Sequence, residues 1–153
     1  MPIDPAESAG ATQPRPIHPD GRVHGVIVGC RRDDGRWLLI RRSEHVIAPL
    51  KVCFPGGAVH VGEDYADAAR REFNEELGVD VRLVRQVWTM VSEEKPLTLF
   101  GWLGEIQSLD LQPDPHEVAE TLWLSNEEAA EHVDALPRTA EFVLALERAL
   151  VDA

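Results

Sequence analysis

The stretch from Gly57 to Val79, GAVHVGEDYADAARREFNEELGV, constrains this chain more than any other. Asp64 to Leu77 carries the marks of one amphipathic helix. Asp64 is a natural N-cap, because its short carboxylate can accept an N–H from the first turn, and Asp67 lies three positions on, as in a capping box. Gly78 tolerates the left-handed backbone that ends a helix. At about 100° per residue, Ala66, Ala69, Phe73 and Leu77 fall on one stripe suited to a core. Glu72, Glu75 and Glu76 gather on the adjoining face, where like charges repel. Two readings stand at this point. The face is either a solvated acidic surface, or a place where three carboxylates at positions i, i+3 and i+4 serve a hard cation such as Mg²⁺.

The flanking sequence supplies a mixed framework for that helix. Residues 1–20 hold Pro2, Pro5, Pro14, Pro16 and Pro19 among small polar residues, and are expected to form a flexible arm. Residues 21–153 are then expected to form one domain, which suits a chain of 153 residues. VHGVIVGC and WLLI are strand-like and are separated by Asp33-Asp34-Gly35, so they read as a hairpin. That second strand leaves through Arg41-Arg42, of which one could reach a substrate phosphate or both could be solvated strand-end charge. Val52-Cys53-Phe54 leads into Pro55-Gly56-Gly57, where adjacent glycines in a turn would let the backbone approach a ligand closely. Val81 to Val91 and Leu97 to Ile106 read as a second hairpin, and Ala119 to Leu124 as a further strand. Ser125 with Glu128 caps a short helix, and Pro137 is placed in the first turn of a last helix running to Val151. Phe142, Leu146 and Leu150 form its apolar stripe. Strands and helices in this alternation make an α/β chain.

A net charge of −12 without a Lys/Arg cluster disfavours a nucleic-acid backbone as main partner. It does not disfavour a small anion, because a metal held by carboxylates presents positive charge. The two cysteines, Cys30 and Cys53, make no zinc pattern and read as free buried thiols. With no membrane-length apolar run and no signal-like start, the expectation is a cytoplasmic protein with no membrane partner.

The central stretch resembles the Nudix box, GX5EX7REUXEEXGU with U a bulky apolar residue. Gly57, Glu63, Arg71, Glu72, Glu75, Glu76 and Gly78 match every fixed position, with Phe73 and Val79 in the apolar ones. Resemblance to this family, the Nudix or MutT-like hydrolases, implies an α/β/α sandwich around a mixed β-sheet. It implies Mg²⁺- or Mn²⁺-dependent hydrolysis of a phosphoanhydride in a nucleoside diphosphate linked to another moiety, such as a nucleoside triphosphate or ADP-ribose. The alternative is a nucleotide-ligand sensor on the same fold that does not hydrolyse. Carried over residue by residue, the resemblance makes Glu72, Glu75 and Glu76 metal ligands together with the carbonyl of Gly56. Glu75 and Glu76 then belong to the catalytic set, Gly57 to the substrate-binding set with Arg42, and Arg71 orients Glu75. Glu63 is a ligand through water or a structural partner of Arg71.

A general base in this family comes from the box or from a later loop. Glu93, Glu94, Glu117 and Glu120 are the later carboxylates, and Glu120, before Trp123 in HEVAETLWLSNEE, is preferred over Glu117. The expected partner is a small nucleotide derivative rather than nucleic acid, and a homodimer is compatible with the resemblance. Substrate identity lies outside the box. LLIRRS starts like the family's coenzyme A signature but departs from it at Ile47 and Lys51. Pro96 stands near a proline associated with ADP-ribose hydrolases.

Overall fold

The computed structural model describes residues 15–152. In chain order these form β1 (Val23–Cys30), β2 (Trp37–Arg42), β3 (Val52–Cys53), β4 (Gly56–Ala58), α1 (Tyr65–Leu77), β5 (Val81–Val91), β6 (Leu97–Ile106), β7 (Val118–Leu124), α2 (Asn126–Glu131) and α3 (Thr139–Val151). One sheet has the order β4-β1-β6-β5, with β1 and β6 parallel and the other pairs antiparallel. The other, β3-β2-β7, is antiparallel throughout. The expected mixed α/β architecture is therefore present. Among the described residues, no helix is long and apolar enough to cross a membrane.

Strand alternation splits the core into two layers. Val26, Val28, Leu38 and Ile40 pack with Phe73 and Leu77 of α1. Trp37, Leu39 and Leu103 pack with Phe142 and Leu146 of α3. Neighbouring residues of β2 thus serve opposite layers, and all four of Trp37 to Ile40 are buried. Burying each such side chain contributes about 1.5–3 kcal/mol, which anchors both helices to the strands between them.

Three local expectations change. The Asp33-Asp34-Gly35 turn forms, with Gly35 at φ 85° and its N–H donating to Arg32 O at 2.9 Å. However, β1 and β2 share only the Arg31–Trp37 bridge before entering different sheets. Both edges of β1 are taken by β4 and β6, and both edges of β2 by β3 and β7, so no hairpin ladder can extend. On α1, Ala68 is fully buried and Ala66 only half-buried, which shifts the apolar stripe to Ala68, Ala69, Phe73 and Leu77. Pro137 lies before α3 rather than in its first turn. Arg138 adopts φ 73°, and helical backbone starts only at Thr139. The β5–β6 hairpin forms as expected, and so does the capping box of Ser125 and Glu128.

Of the proline-rich segment 1–20, residues 1–14 lie outside the described residues. Within the remainder His18 is buried, with Nε2 hydrogen-bonded to the Val59 carbonyl at 2.8 Å.

Candidate active site

Gly56 and Gly57 sit in a strand rather than a turn. They pair with β1 in the register Ile27↔Gly56 and Val26↔Gly57. An added Cβ on Gly56 would strike the backbone oxygen of Val26, and one on Gly57 would strike the carboxylate of Glu72. The glycines are needed for close approach, which lets α1 lay two carboxylates against bare backbone. Gly56 N–H donates to Glu76 Oε1 at 2.8 Å.

α1 is set by its ends. Asp64 accepts the Asp67 N–H at 3.0 Å, and Gly78, at φ 69°, donates its N–H to Asn74 O. Between these caps Phe73 and Leu77 fix the rotation of the helix, which turns Glu72 and Glu76 toward β4. Arg71 braces the same face. Its Nε and Nη2 meet Glu63 at 2.8 and 3.0 Å, and Nη2 also reaches Ala58 O at 3.0 Å. Its Nη1 donates to Glu72 Oε1 at 2.9 Å and lies 3.3 Å from Glu75 Oε2. Of the two readings of Glu63, the structural partner of Arg71 fits this geometry. That pairing, more than any other influence, holds the Glu63 carboxyl below its usual range. Arg71 reaches Glu75, but its shorter bonds run to Glu63 and Glu72.

Burial dominates the electrostatics. Glu76 is 5% exposed, and desolvation pushes its pKa well above the ordinary carboxylate value, with Gly56 N–H opposing. Burial also pushes Glu72 up to about 7, outweighing the adjacent Arg71. Among the described residues, Glu76 has no salt-bridge partner, and its second oxygen accepts no hydrogen bond. Among the described residues, a buried Glu76 without a salt-bridge partner, beside a Glu72 that shares Arg71 with Glu63, is a donor set that a divalent ion would satisfy. Among the described residues, no three His, Cys, Asp or Glu side chains form a ready-made cluster.

A cavity of about 290 Å³ opens over this floor. Gly56, Gly57, Glu72, Glu76, Arg42 and Glu117 all line it, so the fold brings together residues from four separate stretches of the sequence. Glu75 is exposed and does not line it, although its charge helps raise the Glu117 pKa after burial and Asp114. Arg42 is steered by Nε donating to Ile47 O at 2.6 Å, with Nη1 3.7 Å from Cys53 Sγ.

Glu120, the preferred sequence choice for a base, points elsewhere. It is exposed and bonds Arg41 Nε at 3.0 Å, and Arg41 in turn holds Asp134 at 2.9 Å. Glu117 takes the cavity wall instead. A bulge between Arg41 and Arg42 in the β2–β7 pairing separates the two environments, with Arg41 opposite Glu120 and Arg42 opposite Val118. Glu93 and Glu94 are exposed and away from the cavity. Sequence reasoning also missed Arg15, which lines the cavity from the segment before β1 and carried no motif.

Comparison with known proteins gives consistent findings. The NUDIX domain family matches residues 21–146. Nudix hydrolase 19, chloroplastic, of Arabidopsis thaliana is 32% identical over 67% of this chain and 24% of its own length. The NAD-capped RNA hydrolase NudC of Shigella flexneri is 33% identical over 64% of this chain and 37% of its own. This chain therefore spans roughly a quarter to a third of the curated relatives it matches. The crystal structure of a MutT protein from Methanosarcina mazei Go1 superposes with a TM-score of 0.70 at 23% identity, covering 90% of this chain and 99% of that one.

Proposed function

We propose a hydrolytic role for this chain, which belongs to the NUDIX domain family: metal-dependent cleavage of a phosphoanhydride in a nucleoside diphosphate joined to another moiety. The observation that carries this reading is the buried, cation-free Glu76 beside Glu72 in a cavity that also presents the Arg42 guanidinium. Acidic groups suited to a metal and a basic group suited to a phosphate oxygen share one wall.

In this reading Glu72, Glu76 and the carbonyl of Gly56 hold Mg²⁺ or Mn²⁺, with Glu75 at the rim. When bound, the ion neutralises phosphate oxygens and makes water a better nucleophile. Arg42 holds the diphosphate by charge-assisted hydrogen bonds. Gly57 leaves room for it against the strand. Water attacks one phosphorus, the bridging P–O bond breaks, and one phosphate leaves with the bridging oxygen. Glu117, with its pKa raised by burial, accepts the proton of the attacking water. Glu117 rather than Glu120 serves as the base in this reading, because Glu117 lines the cavity. Arg71 keeps Glu72 and Glu63 in place and is not a substrate contact.

The substrate is proposed to be a small nucleotide derivative, because the chain carries net charge −12. The relatives named for NAD-capped RNA keep NAD-linked diphosphates among the compounds to be tried. The test is hydrolysis, read as product formation by chromatography, of nucleoside triphosphates, ADP-ribose, NADH, nucleotide sugars, dinucleoside polyphosphates and NAD-capped RNA, each with Mg²⁺, Mn²⁺ or EDTA. Turnover of at least one compound that EDTA abolishes is expected. Tight nucleotide binding without turnover on any compound would replace the hydrolase by a ligand sensor.

A further inference from the structure

Arg15 enters the cavity from a segment that is firmly held. Three residues on, His18 is buried, bonded to Val59 O at 2.8 Å and stacked on the His24 ring at 4.0 Å. Its N–H donates to Arg22 O at 2.8 Å. Arg22 in turn donates to Ser92 O at 2.6 Å and Thr98 Oγ1 at 2.9 Å, which ties the segment to the β5–β6 hairpin. Arg15 is thus a short reach from a fixed anchor.

Arg15, Arg42, Glu76 and Glu117 line the same cavity, and the Arg42 charge bears on both carboxylates and on Arg15. Arg15 is exposed as a residue, yet protein around its guanidinium, and then the Arg42 charge, lower its pKa. Among the described residues, neither Arg15 nor Arg42 forms a salt bridge. The walls beside them are aliphatic, with Val46, Ile47, Leu97 and Leu99. Among the described lining residues there is no Ser, Thr, Asn, Gln, Tyr or His, so apart from the Cys53 thiol every hydrogen-bonding side chain among them is charged. An apolar wall discriminates similar groups only weakly, whereas a guanidinium fork matches phosphate geometry closely.

We propose that Arg15 is a specificity-determining residue which, with Arg42, holds a third phosphate of the substrate beyond the two joined by the cleaved bond. The preferred class is a nucleoside diphosphate derivative bearing one further phosphate, with little regard for the base. This rests on the hydrolase reading above. The third phosphate has two sources, the phosphate chain of a nucleoside triphosphate or a phosphate ester on a sugar.

Binding tests Arg15 without turnover. Dissociation constants of inorganic tripolyphosphate and pyrophosphate are measured by calorimetry in EDTA for the wild type, Arg15→Ala, Arg15→Lys and the surface control Arg82→Ala. Arg15→Ala is expected to weaken tripolyphosphate about 10- to 100-fold more than pyrophosphate. Arg15→Lys should recover part of the loss, and Arg82→Ala should leave the ratio unchanged. An unaltered ratio in Arg15→Ala overturns the proposal. Kinetics then identify the source. A fall in the triphosphate/ADP-ribose ratio of kcat/KM assigns the phosphate chain, a fall in the NADPH/NADH ratio assigns the sugar ester, and a fall in neither overturns the proposal. A spread in kcat/KM above about 10⁴-fold among ATP, GTP, CTP and UTP also contradicts it. Failure of the wild type to turn over any compound would remove the hydrolase reading, while the binding ratio would still decide the role of Arg15.

Discussion

Gly57 has an ordinary backbone conformation, so its value lies in the missing Cβ. Replacing it with Ala places a methyl where the Glu72 carboxylate lies. Glu72 can swing away, so Gly57→Ala is expected to unfold within about 1–2 kcal/mol of the wild type while losing at least about 10-fold in kcat/KM. Urea unfolding and steady-state kinetics on the same preparation separate the two effects. Glu72 also sets a pH dependence. Its folded pKa of about 7 lies above the unfolded value of about 4.3, and Glu76 shifts in the same direction. The folded state therefore holds protons that the unfolded state releases. The contribution is complete below about pH 4.3 and is lost as pH rises through about 7. Glu63 shifts the opposite way, and its contribution is lost only as pH falls below the ordinary carboxylate range. Metal-free protein should accordingly show a falling Tm between pH 5 and 8. Because the metal competes with those protons, the Tm gain on adding Mg²⁺ should grow over the same interval. Calorimetry with EDTA or Mg²⁺ at each pH measures both trends, and a metal-free Tm that rises across the interval would contradict the burial of these carboxylates.

α1 presents its carboxylate face because its caps and its apolar stripe agree. Removing the N-cap by Asp64→Ala should cost about 1 kcal/mol in chemical denaturation, with loss of the first-turn N–H acceptor as the cause. This helix was legible in the sequence because its signals are local: Asp64, Gly78, and the spacing of Phe73 and Leu77. The β5–β6 hairpin and the α2 capping box were legible for the same reason. Elements whose partners lie far along the chain were not. VHGVIVGC and WLLI carry strand signals and a good turn between them, but nothing in either says that β6 and β7 claim their edges. Gly56-Gly57 looks like a turn because paired glycines usually are one. Its strand character depends on contact with Val26, thirty residues earlier, and with Glu72. Pro137 was misplaced because the left-handed backbone of Arg138, in a residue without special tolerance for it, has no sequence mark.

Across the whole molecule, the cavity is assembled from β1, β2, β4, α1, the loop before β7 and the segment before β1. The sequence motif supplied Gly56, Gly57, Glu72 and Glu76, and strand-end position supplied Arg42. The division between Glu117 and Glu120 was not legible. They stand three positions apart, and a bulge in a strand pair formed across the chain decides which one meets Arg41 and which one meets the cavity. Arg15 was hidden for a similar reason, since its place at the site depends on the burial of His18 against Val59, 41 residues later. All of these elements converge on Glu76, the most buried carboxylate of the site, fixed by Gly56 N–H and, among the described residues, without a salt-bridge partner. The most direct test is therefore the rate of hydrolysis by Glu76→Gln, read as product formation relative to wild type, at saturating Mg²⁺ on whichever compound the screen identifies. Glutamine keeps the shape and a hydrogen-bond acceptor for Gly56 but removes the charge. The expected result is a fall of at least about 100-fold in kcat with a folded protein by calorimetry, and turnover at the wild-type rate would contradict the assignment of this carboxylate to the metal.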